Sequence, residues 1–154
     1  MNNYALEQAE ELFEQALEYF LGIEKEKNMI HAKELLQQSS ELGLSKSSNL
    51  LGDWYIKKII PGDNYKEAFK LYTRGYEFGD MRSFSRLAMC YEKGYGIKKD
   101  IPKALELYEK SVELGNKDAC FSIARIYEKG ENIKMDLSKA ILWYKRGYEK
   151  GDAD

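Results

Sequence analysis

Histidine occurs once, cysteine twice and proline twice among the 154 residues, and each scarcity removes a class of chemistry. With His31 alone, zinc motifs built on two histidines are excluded, and any Ser-His-Asp arrangement would depend on that one imidazole. His31 sits in "NMIHAKE", among polar residues with no motif beside it, and reads as an exposed, non-catalytic side chain. Cys90 and Cys120 follow no metal-binding or redox spacing and read as small buried hydrophobes rather than a disulfide. No run of about 18 apolar residues occurs, so no membrane-spanning helix is expected. The opening "MNNYALEQAEELFEQ" lacks the basic start and apolar run of a secretory signal, which makes a cytoplasmic location the expectation. A net charge of −2 lacks the basic excess of a nucleic-acid binder.

What the chain does contain is helix-forming sequence. Few prolines and long stretches rich in Ala, Leu, Glu and Lys favour a mostly helical fold. Twelve tyrosines are an excess that asks for a reason. The stretch "AMCYEKGYGIKKD" (88–100) supplies it, because "ARIYEKGENIKMD" (124–136) repeats it 36 residues later.

The whole chain keeps this step. Tyrosine recurs at Tyr19, Tyr55, Tyr91 and Tyr127; alanine at Ala32, Ala68, Ala104 and Ala140; glycine at Gly43, Gly79, Gly115 and Gly151. Asn28, Asn64, Asp100 and Asp136 form a fourth column. Repeats of 8–43, 44–79, 80–115 and 116–151 follow without insertion or deletion, the signature of a stacked repeat protein. The Asn/Asp column suits a helix N-cap, whose side-chain oxygen satisfies free backbone N–H groups of the first turn. The glycine column suits the left-handed residue just past a helix end. The segment from Asp100 to Leu114 is therefore one helix, with Pro102 tolerated in its first turn. We call it helix B. Residues 81–93 place Phe84, Leu87, Ala88 and Tyr91 at i, i+3, i+4 and i+7, which predicts a helix A with one apolar face. Ala16, Gly52, Ala88 and Ala124 form a small-residue column where two helices must approach closely. Four helical hairpins in one domain spanning 1–154, an all-α fold, are expected to stack so that each buries its neighbour's apolar face.

The pattern from Ser83 through Gly115, with Leu87, Tyr91, Gly94, Gly96, Asp100, Lys103, Ala104, Tyr108 and Gly115 in place, resembles the Sel-one-like repeat (SLR) family, relatives of tetratricopeptide repeats. Repeat 116–151 is similar, with the Trp143-Tyr144 pair, although Asn132 replaces the second loop glycine. Repeat 44–79 has "KKIIPGDN" in the loop, and repeat 8–43 keeps only Ala16, Tyr19, Gly22, Asn28, Ala32 and Gly43. The resemblance implies a right-handed α-α superhelix (solenoid) of four 36-residue hairpins, in which A helices line the inner surface. It also implies a non-enzymatic scaffold or adaptor for protein–protein interaction. Some cysteine-rich relatives are linked to binding or hydrolysing β-lactams. That alternative would want cysteines paired between helix A and helix B of one hairpin, and Cys90 and Cys120 are out of register for it.

No catalytic constellation, metal site or cofactor motif emerges. Gly94-Tyr95-Gly96 lacks a third glycine, follows a helix rather than a strand and has no Gly-Lys-Ser/Thr, so it is not read as a phosphate loop. Glu7, Glu10, Glu11, Glu14 and Glu18 fall at helical spacings and read as a solvated face that caps the array. Partner contact is expected instead at helix A positions that do not keep the repeat's identity: Asn49, Asp53 and Lys57; Arg82, Ser85, Arg86 and Met89; Phe121, Ser122 and Arg125.

Charge is uneven. Three basic against eight acidic residues leave repeat 8–43 at −5, whereas the next three carry +2, +1 and +3. Arg82, Arg86 and Arg125 favour an acidic or carboxylate-bearing peptide, because a guanidinium grips a carboxylate with two parallel hydrogen bonds. The same polarity suggests head-to-tail self-association. Ile141, Trp143, Tyr144 and Tyr148 in the last helix B are expected to be partly uncovered, with Lys150 as a partial substitute for a cap and 152–154 resembling the start of a fifth helix A.

Overall fold

A computed structural model describes residues 2–149. Among these residues the chain forms eight α-helices and no strand. They are α1 (Asn3–Leu21), α2 (Met29–Glu41), α3 (Ser45–Ile56), α4 (Asn64–Glu77), α5 (Met81–Lys93), α6 (Ile101–Glu113), α7 (Asp118–Lys129) and α8 (Leu137–Glu149). Odd-numbered helices are the A helices and even-numbered ones the B helices. The fold is all-α and built of four helical hairpins, as expected. Gly151, Lys150 and the proposed start of a fifth helix lie outside the described residues.

The repeat columns explain the helix ends. Asn28 Oδ1 accepts from the His31 N–H at 3.0 Å, Asp100 Oδ1 from Lys103 at 3.0 Å and Asp136 Oδ1 from Lys139 at 2.9 Å. One column member differs: Asn64 is the first residue of α4 and Asp63 takes the cap position, without a side-chain cap bond. The helix begins one residue early because "PGDN" offers two polar residues in succession, and Asn64 Oδ1 is left buried without a partner. At the other end, the N–H groups of Gly43 and Leu44 bond to the carbonyls of Ser40 and Ser39. The same pair of bonds follows α4 at Gly79 and α6 at Gly115. This is a Schellman closure, and each glycine adopts the positive φ that it requires.

In the first, third and fourth repeats the loop between helices A and B holds two left-handed residues, two positions apart. Gly94 (φ 75°) and Gly96 (φ 72°) supply them in the third repeat. Asn132 takes the second position in the fourth repeat at φ 59°, the non-glycine best suited to that conformation. Glu24 (φ 57°) and Lys58 (φ 56°) occupy these columns in the first two repeats and carry side chains into a region that disfavours them.

The chain divides into two compact units, one up to Ser83 and one from Phe84 onward, with the boundary after the first turn of α5. In the first unit α1 pairs with α2, α2 with α3 and α3 with α4. Its core combines Ala9, Ala16, Ala32, Leu35, Leu36, Leu51, Trp54, Tyr55 and Tyr72 with fully buried serines. Ser39 Oγ donates to the Ala9 carbonyl and lies 2.6 Å from Ser47 Oγ; Ser40 and Ser48 are equally close. Gly52 belongs to the small-residue column for a steric reason, since a Cβ there would stand 2.5 Å from the Tyr72 ring. In the second unit α6 pairs with α7 and α7 with α8. Its core is Leu87, Ala88, Cys90, Leu107, Tyr108, Val112, Cys120, Ile123, Ala124 and Ile126. Both cysteines are buried thiols, and burial pushes the Cys90 thiol up to about 12.

Candidate partner-binding groove

The A helices of the second unit carry a groove of about 380 Å³. Ser85, Arg86 and Met89 project into it from α5, and Ser122 and Arg125 from α7. These are five of the six sequence-predicted contact residues in this unit. Helical spacing accounts for their convergence: 85, 86 and 89 share one face of α5, and 122 and 125 share one face of α7. The sixth, Phe121, turns toward α8 instead, with its ring 5.3 Å from Tyr148 and 6.3 Å from Tyr144.

Sequence reading missed the floor of the groove. Tyr108 reaches it from helix B, and its hydroxyl donates to Glu92 Oε2 at 2.8 Å. Burial raises the Tyr108 phenol well above the ordinary tyrosine range, and the Glu92 charge adds to that effect, so the hydroxyl remains a donor. A legible signal existed, because Glu92–Tyr108 and Glu128–Tyr144 are both carboxylate–tyrosine pairs 16 residues apart. Tyr144 donates to Glu128 at the same 2.8 Å. Asn116 also lines the groove, where its amide donates to Ser85 Oγ at 3.1 Å and to Ser111 Oγ at 2.9 Å.

The polar balance of the groove is mixed. Arg86 and Arg125 stand against Glu92 and Asp118, with Lys93 beside them. Glu92 is already committed, to the Tyr108 hydroxyl and to Lys93 Nζ at 2.9 Å. Arg125 is exposed and donates to Ser122 Oγ at 3.3 Å. Asp118 lies in the first turn of α7, where a carboxylate is stabilised by the helix dipole.

The remaining predicted residues belong to the first unit and do not gather in the same way. Asn49 is buried; its Oδ1 accepts from Ser83 Oγ at 2.8 Å and its Nδ2 donates to Asp80 at 3.3 Å. It therefore leaves the set of solvent-facing contacts, because packing of α3 against the first turn of α5 consumes its amide. Asp53 is half-buried and accepts from the Tyr72 hydroxyl at 2.6 Å. Lys57 and Arg82 are exposed at the end of α3 and the start of α5. His31 stands 3.4 Å from Glu34 and edge-on to Tyr19, 4.5 Å between centroids. The five glutamates of α1 are exposed or half-buried, and Glu10 pairs with Lys46 while Glu18 pairs with Lys25 at 2.8 Å.

Among the described residues no group of three or more His, Cys, Asp or Glu side chains is placed to hold a metal, and no helix is long and apolar enough to cross a membrane.

Comparison with known proteins agrees with this architecture. The Sel1 repeat model matches at residues 12–44, 47–80, 85–116 and 117–152. A Sel1 repeat protein from Oxalobacter formigenes is 31% identical over 94% of this chain, with a TM-score of 0.80. A protective antigen of uropathogenic Escherichia coli strains that displays an SLR fold is 26% identical over 94%, also at 0.80. The chain spans 57% of the first of these structures and 31% of the second. Cysteine-rich protein B of Helicobacter pylori shares the fold at 24% identity and a TM-score of 0.60, over 76% of this chain and 87% of its own. No curated protein matches the chain. Four matched repeats over hairpins that keep one 36-residue frame place the chain in the Sel1 repeat family.

Proposed function

We propose that this protein is a non-enzymatic interaction scaffold that holds an extended, acidic peptide segment of a partner in the α5–α7 groove. Sel1 repeat folds commonly serve as protein–protein interaction scaffolds. The observation that carries the reading is the convergence of Ser85, Arg86, Met89, Ser122 and Arg125 on one groove. Met89 and Ala119 supply apolar contact, the Ser85 and Ser122 hydroxyls supply short-range polarity, and two guanidiniums supply carboxylate recognition. Arg82 has no part in this groove, so the testing pair is Arg86 with Arg125.

Peptides selected on the wild-type chain from a random display library are expected to be enriched in Asp and Glu. Arg86→Glu combined with Arg125→Glu should weaken their binding by about tenfold or more, with helicity unchanged by circular dichroism. Equal binding to the double variant would remove the groove from consideration.

A further inference from the structure

The α5–α7 groove continues past Arg125. Glu92 and Lys93, which line it, also line a second cavity at the C-terminal ends of α5 and α7. This cavity measures about 110 Å³, against about 380 Å³ for the groove, a space suited to one side chain rather than a second stretch of chain. Ile101 and Ile126 form its floor, each 4% exposed. Lys93 and Lys129 reach it from the last turns of the two helices, and Lys99 and Glu131 from the two A–B loops.

Three ammonium groups thus line one small space. The helix dipole favours a lysine in any last turn, which accounts for Lys93 and Lys129 taken singly but not for Lys99. The carboxylates at the cavity are already engaged. Glu92 accepts from the Tyr108 hydroxyl and pairs with Lys93 at 2.9 Å, while Glu131 lies 3.5 Å from Lys99 Nζ. Among the described residues no carboxylate pairs with Lys129. The cavity therefore has cationic capacity to spare above an apolar floor. A glutamate side chain suits both, because its methylenes can lie on the isoleucines while its carboxylate meets the ammonium groups.

The spacing of the cations says where that glutamate stands in the peptide. Arg125 and Lys129 share one face of α7, one turn apart and about 6 Å along the axis. In an extended peptide, side chains on one face recur every second residue, about 6.6 Å apart. The two steps nearly coincide. A peptide lying along α7 can give one acidic side chain to Arg125 and the next but one to Lys129. Acids in adjacent positions, or three apart, would point to opposite faces.

We infer that this cavity is a second carboxylate subsite of the groove, and that the partner segment carries acidic residues at i and i+2, the second a glutamate. The inference rests on the groove reading given above and adds to it a spacing rule.

Capped synthetic peptides of Ser, Thr and Leu with two glutamates test the rule by fluorescence anisotropy. Isomers with the glutamates one, two or three positions apart carry the same charge. The Glu-x-Glu isomer is expected to bind the wild-type chain about fivefold tighter than the others, the size of effect an exposed ion pair supplies. Lys129→Ser should abolish that preference and leave binding of a single-glutamate peptide unchanged. Arg86→Glu with Arg125→Glu should weaken every peptide. Equal binding of the isomers to the wild-type chain, or a preference that survives Lys129→Ser, overturns the subsite and leaves the groove standing. Peptides indifferent to the arginine pair would remove the groove, and the subsite with it.

Discussion

The two units solve one packing problem with different chemistry. In the first unit hydroxyls fill the contact between α2 and α3, Ser39 with Ser47 and Ser40 with Ser48, and an amide joins the A helices α3 and α5 through Asn49 and Ser83. Asp80 extends this seam by accepting from Ser45 Oγ at 2.8 Å and from the Arg82 N–H at 2.8 Å. In the second unit Ser111 keeps the Ser39 column, fully buried and accepting from the Asn116 amide at 2.9 Å, while the other columns hold Val112, Ala119, Cys120 and Gly147, and a further polar contact lies at the Tyr108–Glu92 pair. Serine, alanine and cysteine are nearly interchangeable in volume, so the helices keep their spacing in either case. A hydroxyl seam fixes geometry through direction as well as size, because each buried oxygen must find its partner or lose its solvation without return. An apolar seam tolerates more adjustment. The first unit should therefore be the more brittle of the two, and the second, which carries the groove, the more adaptable.

The sharpest test places one substitution in both units. Gly75 and Gly147 share a repeat column, but a side chain at Gly75 drives into Ser83 and Asn49, whereas one at Gly147 presses on the edge of the Phe121 ring. Gly75→Val is expected to destabilise by about 2–4 kcal/mol and Gly147→Val by about 1 kcal/mol less than that. Thermal denaturation followed by circular dichroism measures both, and equal losses would dissolve the contrast between brittle and adaptable seams.

A smaller effect separates the two tyrosine–carboxylate pairs of the second unit. Tyr108→Phe removes a donor from a mostly buried Glu92 and should cost about 1–2 kcal/mol. Tyr144→Phe, at the exposed pair with Glu128, should leave the melting temperature unchanged. The same variants read out at alkaline pH. The Tyr108 pKa is raised in the folded chain, so its contribution is complete below the ordinary tyrosine value of about 10 and is lost as pH climbs beyond it. Tyr108→Phe should flatten that alkaline loss of stability, and an unchanged pH profile would place the cause elsewhere.

The smallest effect concerns the loop of the first unit. Lys58 holds φ 56° in the column where Gly94 and Gly130 sit at 75° and 63°. Lys58→Gly should relieve the left-handed strain and stabilise by about 0.5–1 kcal/mol, a gain partly offset by the greater freedom of glycine in the unfolded chain. The control substitution Lys57→Gly, at an exposed helix end with φ −79°, should not stabilise.

The sequence alone determined the frame. Columns of tyrosine, alanine, glycine and Asn/Asp at a step of 36 placed every hairpin and the N-cap of three of the four B helices, because capping, left-handed turns and close helix approach each demand particular residue types within a few positions. The same local logic marked Ser85, Arg86, Met89, Ser122 and Arg125, since residues three and four apart on a helix share a face whatever surrounds them. Tertiary structure alone decided what lay between helices. It turned Asn49 inward, pointed Phe121 at α8 and brought Tyr108 to the floor of the groove. These outcomes depend on which neighbouring side chain is near enough to bond or exclude. That is set by three-dimensional distance between residues 16 to 34 positions apart, which no local pattern encodes.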